Sequence, residues 1–379
     1  MHSQNYLEET PKETQKHYAL QSLENLILST DTVFNKASNT ANLSRTCVAE
    51  YANHIGGPTE KIIKNPYFKH LTGISQMVAK FTTTQRHQNN SRHVHCLQAA
   101  AFGKFFAEHS VRREAFKELD QQGLNPVNHA IAICLLHDIC HPPFNHTGEE
   151  IISRVYGVKD FDHDIEAYNK ITGTSLRKTL TSQQIDPEIV ARVISEDQEW
   201  FKDKGLSAMY NVLFELKEAA DRLSYLVNDL SCDIKKKATF WSFGQLGSPI
   251  ANLQITRSGV KMTDQDAFTI CDTRFNHFSE NTYEPTVLLT KEVLIEEVRK
   301  LHTSGRLNLE GFLDSNEEEI LLLFPENVRD ILSEGVDKSF LESRTIELSK
   351  LLPNLTVRTE EGIDVNKTRE ELILSLIHI

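Results

Sequence analysis

Hydrophobic and polar positions along this chain follow the rhythm of amphipathic helices, and one stretch departs from it. From Ala130 to Leu136 every side chain is apolar. That is too uniform for a half-buried face, and a helix apolar all round belongs in the middle of a domain. The run ends in His137 and Asp138, where a buried carboxylate is costly without a partner, and Pro142 and Pro143 are expected to stop the helix there. A second segment, Arg92 to His109, is rich in small and apolar residues, with Ser91 as its N-cap and His95 one turn before Ala99. From Ala208 to Leu230, Met209, Leu213, Leu216, Ala220, Leu223 and Val227 recur at three- and four-residue steps, giving one core stripe. Asp221, Tyr225 and Asp229 form a second row at four-residue steps. On the residues alone, that row is either a solvated face or the wall of a polar cleft.

Shorter elements fill the rest. Residues 1–45 read as one or two amphipathic helices with Leu20, Leu23, Leu26 and Ile27 on the apolar side. A short helix or irregular segment from Pro66 to Phe81 carries Gln76, and a polar loop leads from it to Ser91. Glu149 to Val155 begins another helix, and His163 and Asp164 open the next, with Asp162 as its cap. Beyond residue 235 the character changes. LQITRSGVKM reads as a hairpin turning at Ser258 and Gly259, followed by helices around Phe268–Phe278, Pro285–Thr303 and Glu317–Leu323. The ending ELILSLIHI is an apolar tail that either packs on a partner subunit or is a disordered end. The expectation is an all-α protein with a small β-hairpin near residues 252–263. It divides into an N-terminal extension (1–45), a core (46–235) and a mainly helical C-terminal region (236–379) that completes the site and oligomerises.

Composition narrows the function. A chain of 379 residues has ample length for a core. No apolar run approaches the roughly 20 residues that span a bilayer, and the polar N-terminus does not resemble a signal peptide. The six cysteines form no C-x-x-C, which points to reduced thiols in a cytoplasmic protein. A formal charge of −12 argues against a general nucleic-acid coat, but is compatible with a polyphosphate in a locally cationic pocket. Half of the 16 histidines fall between His93 and His163, and there the chemistry is sought.

A histidine such as His95 reads by itself as a hydrogen-bonded core residue, and His163 as a surface residue near a helix start. They gain weight from company. His95, His137, Asp138 and Asp221 offer two imidazoles and two carboxylates from three helices. This mixed nitrogen and oxygen set suits a divalent Mn, Fe, Ni, Co or Zn, or Mg, because no thiolate biases it toward zinc. His93 is a rival ligand beside His95.

The order His, His-Asp, Asp resembles that of the HD metal-dependent phosphohydrolases. HDICHPPFNHTGE, SRHVHCL, FDHDIEAYNKI and EAADRLSYLVNDL are similar, in order, to motifs of the deoxynucleoside triphosphate (dNTP) triphosphohydrolases of that superfamily. TRFNHFSENTYEP and LLTKEVLIEEVRKL extend the resemblance, which covers roughly residues 60–320. Cys140 stands where Gly is usual, and the Gln76–Arg92 spacing differs slightly from the family pattern.

The resemblance implies that His95, His137, Asp138 and Asp221 hold the metal. It pairs His146 with Glu149 in catalysis and puts His141 and His163 at the α- and bridging phosphate oxygens, with His163 as general acid to the leaving 5′-oxygen. Arg222 and Arg274 would grip the outer phosphates, and Arg92 would lie against base or phosphate. Gln76, Tyr225, Asp229 and Tyr283 would surround the sugar, with Tyr225 and Asp229 excluding a ribose. A dNTP would give a deoxynucleoside and inorganic triphosphate. A homo-oligomer is implied, and activation by a second nucleotide is left open. The rival readings are another HD-type nucleotidase or phosphodiesterase, and a nucleotide-sensing protein with little turnover.

Overall fold

A computed structural model describes residues 52–53, 55–75, 91–109, 116–173, 175–232, 249–256, 258–281 and 285–334. Within them only the backbone is described for residues 227–232, 273–281 and 285–290 and for a few positions near 330. The expected N-terminal helices, the apolar tail, Gln76 and Tyr283 lie outside the described residues.

The apolar run becomes helix α5, Pro126–Leu136, numbered after α1 (Thr59–Ile63), α2 (Pro66–His70), α3 (Arg92–His109) and α4 (Lys117–Gln121). Asn125 caps α5 by accepting from the Asn128 backbone N–H at 3.0 Å, and Pro126 supplies a first residue that needs no hydrogen-bond acceptor. Every residue from His129 to Leu136 is buried. Each large apolar side chain in that run contributes about 1.5–3 kcal/mol relative to exposure.

The helix lies between α3 and α11, Ser207–Cys232. Close approach on the α3 side depends on Gly103, where an added Cβ would stand 2.6 Å from Cys134 Sγ and 3.3 Å from the Ala130 carbonyl oxygen. The small residues of α3 thus bring two helix backbones together. The α11 stripe is buried as its periodicity predicts, with Met209, Leu213, Leu216, Ala220 and Leu223 all at 4% exposure or less. The side chain of Val227 is outside the described residues.

Helices α6 (His146–Arg154), α7 (His163–Gly173), α8 (Ser175–Thr181), α9 (Pro187–Ile194) and α10 (Gln198–Asp203) occupy the chain between α5 and α11. The expected Asp162 cap forms, its side chain accepting from the backbone of Asp164 at 2.8 Å at the start of α7. His129 links two helices, with Nδ1 donating to the Asn125 carbonyl (2.8 Å) and Nε2 accepting from the Asp186 backbone (2.9 Å).

Strands β1 (Gln254–Thr256) and β2 (Gly259–Lys261) form the expected hairpin. Thr256 pairs with Gly259, so Gly259 (φ 107°) is already in the strand and the turn falls one position earlier than the sequence suggests. Helices α12 (Asp264–Asn281), α13 (Pro285–Thr303), α14 (Leu309–Asp314), α15 (Glu317–Leu322) and α16 (Glu326–Glu334) follow.

Two apolar clusters result. The larger gathers α3, α5, α9 and α11 with Ile250, Leu253, Ile255 and Ile270 from beyond the long helix. The smaller joins Phe144, Ile151 and Ile152 to Leu294, Ile295, Val298, Phe312, Ile320 and Phe324 of the C-terminal helices.

The segment between α5 and α6 sits where these clusters meet. Helix α5 ends at Leu136, earlier than the prolines require, because the chain tightens into i to i+3 turns. Ile139 donates to Leu136 and His141 to Asp138, both at 3.1 Å. Phe144 (φ 66°) and Asn145 (φ 58°) are consecutive left-handed residues, a conformation costing roughly 1–3 kcal/mol per non-glycine residue. Phe144 is fully buried in the smaller cluster, and that anchorage helps hold the segment. Gly148 is required for a different reason: an added Cβ would meet the Pro143 carbonyl oxygen at 2.1 Å.

Candidate active site

Three helices deliver the four groups that the sequence singled out. His95 comes from the second turn of α3, His137 and Asp138 from the turn closing α5, and Asp221 from the middle of α11. His95 Nε2 lies 3.2 Å from His137 Nε2 and 2.8 Å from Asp221 Oδ1. His137 Nε2 lies 3.2 Å from the same Asp221 oxygen, and Asp138 Oδ2 is 3.3 Å from both imidazole nitrogens. His95, His137 and Asp138 bring ligand atoms within 4.8 Å of one another, and Asp221 Oδ1 touches both imidazole nitrogens, so the group could hold a divalent ion.

The tautomers fit as well. His137 Nδ1 donates to the Cys134 carbonyl (2.9 Å), and His95 Nδ1 meets Ser224 Oγ (2.9 Å), which donates to the Asp221 carbonyl (2.7 Å). Each ring therefore spends its N–H on the protein and turns an Nε2 lone pair inward, as a metal-ligating histidine does. Without a cation the cluster attracts protons. Burial pulls His137 down, but the charges of Asp138 and Asp221 overcome it and push the imidazole up to about 10. Burial would raise the Asp138 carboxyl, yet Arg92 and His137 hold it well below the usual range. His93 is not a ligand here. It lies on another face of α3 with its ring 5.0 Å from that of Phe68, and burial lowers it to about 4.

A second cluster of histidines adjoins the first through Asp138. His141 Nε2 is 3.0 Å from Asp138 Oδ1, the carboxylate oxygen turned away from the cage. The ring of His141 stacks on that of His163, with centroids 3.8 Å apart and planes 22° from parallel. Glu149 is the hub. Its carboxylate lies 2.6 Å from His163 Nδ1, 3.1 Å from His146 Nδ1 and 3.6 Å from His141 Nδ1. The last distance is too long for a hydrogen bond, leaving His141 Nδ1 buried without a partner among the described residues. Burial would raise the Glu149 carboxyl, but the contacts with His146 and His163 keep it well below its ordinary value. The His163 imidazole is lowered by burial and raised further by Glu149 and Asp164, ending above its usual value. His146 is the open member, with a side chain 69% exposed. The arrangement can hold and move protons beside a cation.

The other expected site residues fall in different places. Arg92 is 1% exposed, and its guanidinium bonds to Asp138, Tyr225 and Asn145. It therefore stands inside the cluster against the Asp138 carboxylate. Tyr225 lies on the cleft side of α11, its ring 4.1 Å from that of His95, so the second row of that helix is a cleft wall where its side chains are described. Arg222 is partly exposed and bonds to Glu218 at 2.8 Å. Asp229 lies on α11 and Arg274 on α12, and the side chains of both are outside the described residues.

Sequence reasoning missed Ser224, Asn145 and Glu317. A serine inside a core stripe gives no warning that it orients a ligand. Glu317 of α15 accepts from the backbone of Ser75 and Phe144 at 2.7 and 2.9 Å, a contact joining distant parts of the chain.

Comparison with known proteins agrees with this geometry. The HD domain family model matches residues 92–230, a span containing all four cage residues. A deoxyguanosinetriphosphate triphosphohydrolase-like protein of Geobacter sulfurreducens is 22% identical over 184 residues, covering 46% of this chain and 44% of that protein. A protein of the same description from Geobacter metallireducens is 27% identical over 113 residues, 30% of this chain and 25% of its own length. The chain thus spans less than half the length of these curated relatives. No described helix is long and apolar enough to cross a membrane. Residues 92–230 thus match an HD domain, and the chain is similar at low identity to proteins described as deoxyguanosinetriphosphate triphosphohydrolase-like.

Proposed function

We propose that this protein is a dNTP triphosphohydrolase that cleaves the substrate to a deoxynucleoside and inorganic triphosphate. The observation carrying the reading is that Glu149 gathers three imidazoles directly beside the Asp138 carboxylate of the cage. A nucleotide triphosphate presents a row of anionic oxygens, and several imidazoles in one place can donate hydrogen bonds along it and exchange protons near neutral pH. His95, His137, Asp138 and Asp221 would hold the cation, with Mn, Mg, Fe, Ni, Co and Zn all chemically suited. When bound, it would supply Lewis acidity toward a phosphoryl oxygen and lower the pKa of a water.

The chain's own groups do the rest. His146, oriented by Glu149 and the most accessible of the three, takes the proton of the attacking water. His163, kept charged by Glu149 and Asp164, donates a proton to the leaving 5′-oxygen. His141 turns its unpartnered Nδ1 toward the phosphates. Arg222 and Arg274 hold the outer phosphates, Arg92 bears on substrate through Asp138 and Tyr225, and Gln76, Tyr225, Asp229 and Tyr283 enclose the sugar. Residues 46–235 supply the catalytic core and 236–379 complete the site and build a homo-oligomer in the cytoplasm, with activation by a second nucleotide as part of the same hypothesis.

The test is a panel of dNTPs and NTPs with Mn or Mg, singly and mixed, following inorganic triphosphate. Release from dNTPs but not NTPs is expected. Pyrophosphate or monophosphate as the product would refute the reading in favour of another HD phosphohydrolase, and absence of any cleavage would leave a nucleotide-binding protein.

A further inference from the structure

Glu317, the first residue of α15, is 4% exposed. The helix does not need it as a cap, because Asn316 and Glu319 already form a reciprocal capping box there. Its Oε1 instead accepts from the Ser75 backbone N–H (2.7 Å), Ser75 Oγ (2.8 Å) and the Phe144 backbone N–H (2.9 Å). These donors belong to the two segments that flank Arg92. On one side Ser75 pairs with Ser91, and the Arg92 backbone N–H donates to Ile74 at 2.9 Å. On the other, Phe144 precedes Asn145, whose Oδ1 accepts from Arg92 Nη2 at 2.5 Å. The other guanidinium arm reaches Asp138 and Tyr225. One buried oxygen of the C-terminal helices therefore fixes both the backbone of Arg92 and the residue that orients its side chain. It does so across a segment where two consecutive residues are left-handed and would relax if released.

We propose that Glu317 is a positioning residue for the metal cage. It holds Ser75 and Phe144 in register, which sets Arg92, and Arg92 sets the Asp138 carboxylate. The inference rests on reading His95, His137, Asp138 and Asp221 as metal ligands, and is independent of which phosphate ester is cut.

The test uses the full chain, with Mn(II) alone titrated by calorimetry and triphosphate release measured separately at saturating Mn(II). Glu317→Ala is expected to weaken Mn(II) binding about 10-fold, in line with losses from residues that support ligands, and to lower kcat while KM stays within about threefold. Glu317→Gln keeps an oxygen that can accept the same three bonds and is expected to restore Mn(II) affinity to within about threefold of the parent. Glu318→Ala, at the exposed neighbouring position, is expected to change neither. Should Glu317→Ala fail to fold, Ser75→Ala removes one of the three bonds and is expected to weaken Mn(II) about two- to fivefold. A fall in melting temperature with unchanged Mn(II) affinity and kcat would overturn the proposal, as would an unaltered affinity in Ser75→Ala. Equal damage from glutamine and alanine would overturn it too, because bond geometry would then not be the cause. If the parent cleaves no dNTP while Mn(II) affinity still falls in Glu317→Ala and recovers in Glu317→Gln, this proposal stands and the substrate assignment fails.

Discussion

Glu149→Gln isolates what the carboxylate hub does, because it keeps the side chain's size and removes only its charge. Glu149 contacts His163 at 2.6 Å and His146 at 3.1 Å, and its side chain is 24% exposed. The His146 contact is a hydrogen bond, whereas the His163 contact is an ion pair to a Glu149 oxygen that makes no hydrogen bond of good geometry. His163 is held above its usual value with Glu149 among the causes, so the mutant imidazole should lose its proton at lower pH. A general acid must be protonated to act. The alkaline limb of the kcat profile should therefore move toward lower pH. Loss of the oriented base adds a fall in kcat of about 10²–10⁴. Mn(II) affinity should stay within about threefold, since Glu149 is not among the cage residues. The assay is triphosphate release across the neutral and alkaline range at saturating Mn(II), paired with calorimetric Mn(II) titration. An unmoved limb with unchanged kcat would refute the hub. Parallel loss of Mn(II) binding would show that Glu149 belongs to the cage.

The remaining predictions bear on stability and on support of the ligands. Ser224→Ala leaves His95 Nδ1 without its 2.9 Å partner and should weaken Mn(II) about 10–100-fold with little change in melting temperature. His93 is lowered to about 4 by burial. The unfolded chain therefore binds the extra proton first, and stability is lost as pH falls from about 6.5 toward 4. The loss is about 2 kcal/mol at about pH 5, and urea melts of His93→Gln against the parent should show a shallower acid slope. Gly148→Ala places a Cβ 2.1 Å from the Pro143 carbonyl oxygen, a backbone atom that cannot swing aside. It should cost roughly 1–3 kcal/mol by denaturant unfolding and reduce turnover by displacing His146 and Glu149.

The parts of this fold that were legible in the sequence are those where a single local rule decides. Ala130 to Leu136 offers no polar face, so it could only be a central helix, and it is buried throughout. The stripe of α11 and the hairpin were readable from period alone. His95 and Asp221 each have a bland reading alone, and only their company with His137 and Asp138 and the resemblance to HD phosphohydrolases single out the group that the fold brings together. Long-range pairing was not readable. Arg92 opens a helix and was expected to reach outward to substrate, but its position is set by Asp138, Asn145 and Tyr225, which approach from elsewhere in the chain. The end of α5 falls at His137 as expected, and the turn through His137 and Asp138 closes it before the prolines are reached. Glu317 is one of three consecutive glutamates, and nothing local distinguishes the buried one from the two exposed ones.

The acidity of the chain and its reading as a polyphosphate enzyme are reconciled at the site. A formal charge of −12 is spread over the whole sequence, whereas attraction to a triphosphate is decided within about a Debye length, roughly 8 Å at physiological salt. Within the described cluster, Asp138, Asp221 and Glu149 are held ionised, and Arg92 and the raised imidazoles of His137 and His163 oppose them. Asp164, which burial raises to about 6, adds part of a negative charge near neutral pH. Binding of a divalent ion would displace a proton from His137 as that imidazole becomes a ligand. The carboxylates that make the bare pocket unattractive to a nucleotide are the same groups that would hold the cation. The charge the substrate meets is thus fixed by the loaded cage, with Glu149 and its imidazoles beside it, and the surface balance of the protein has little influence there.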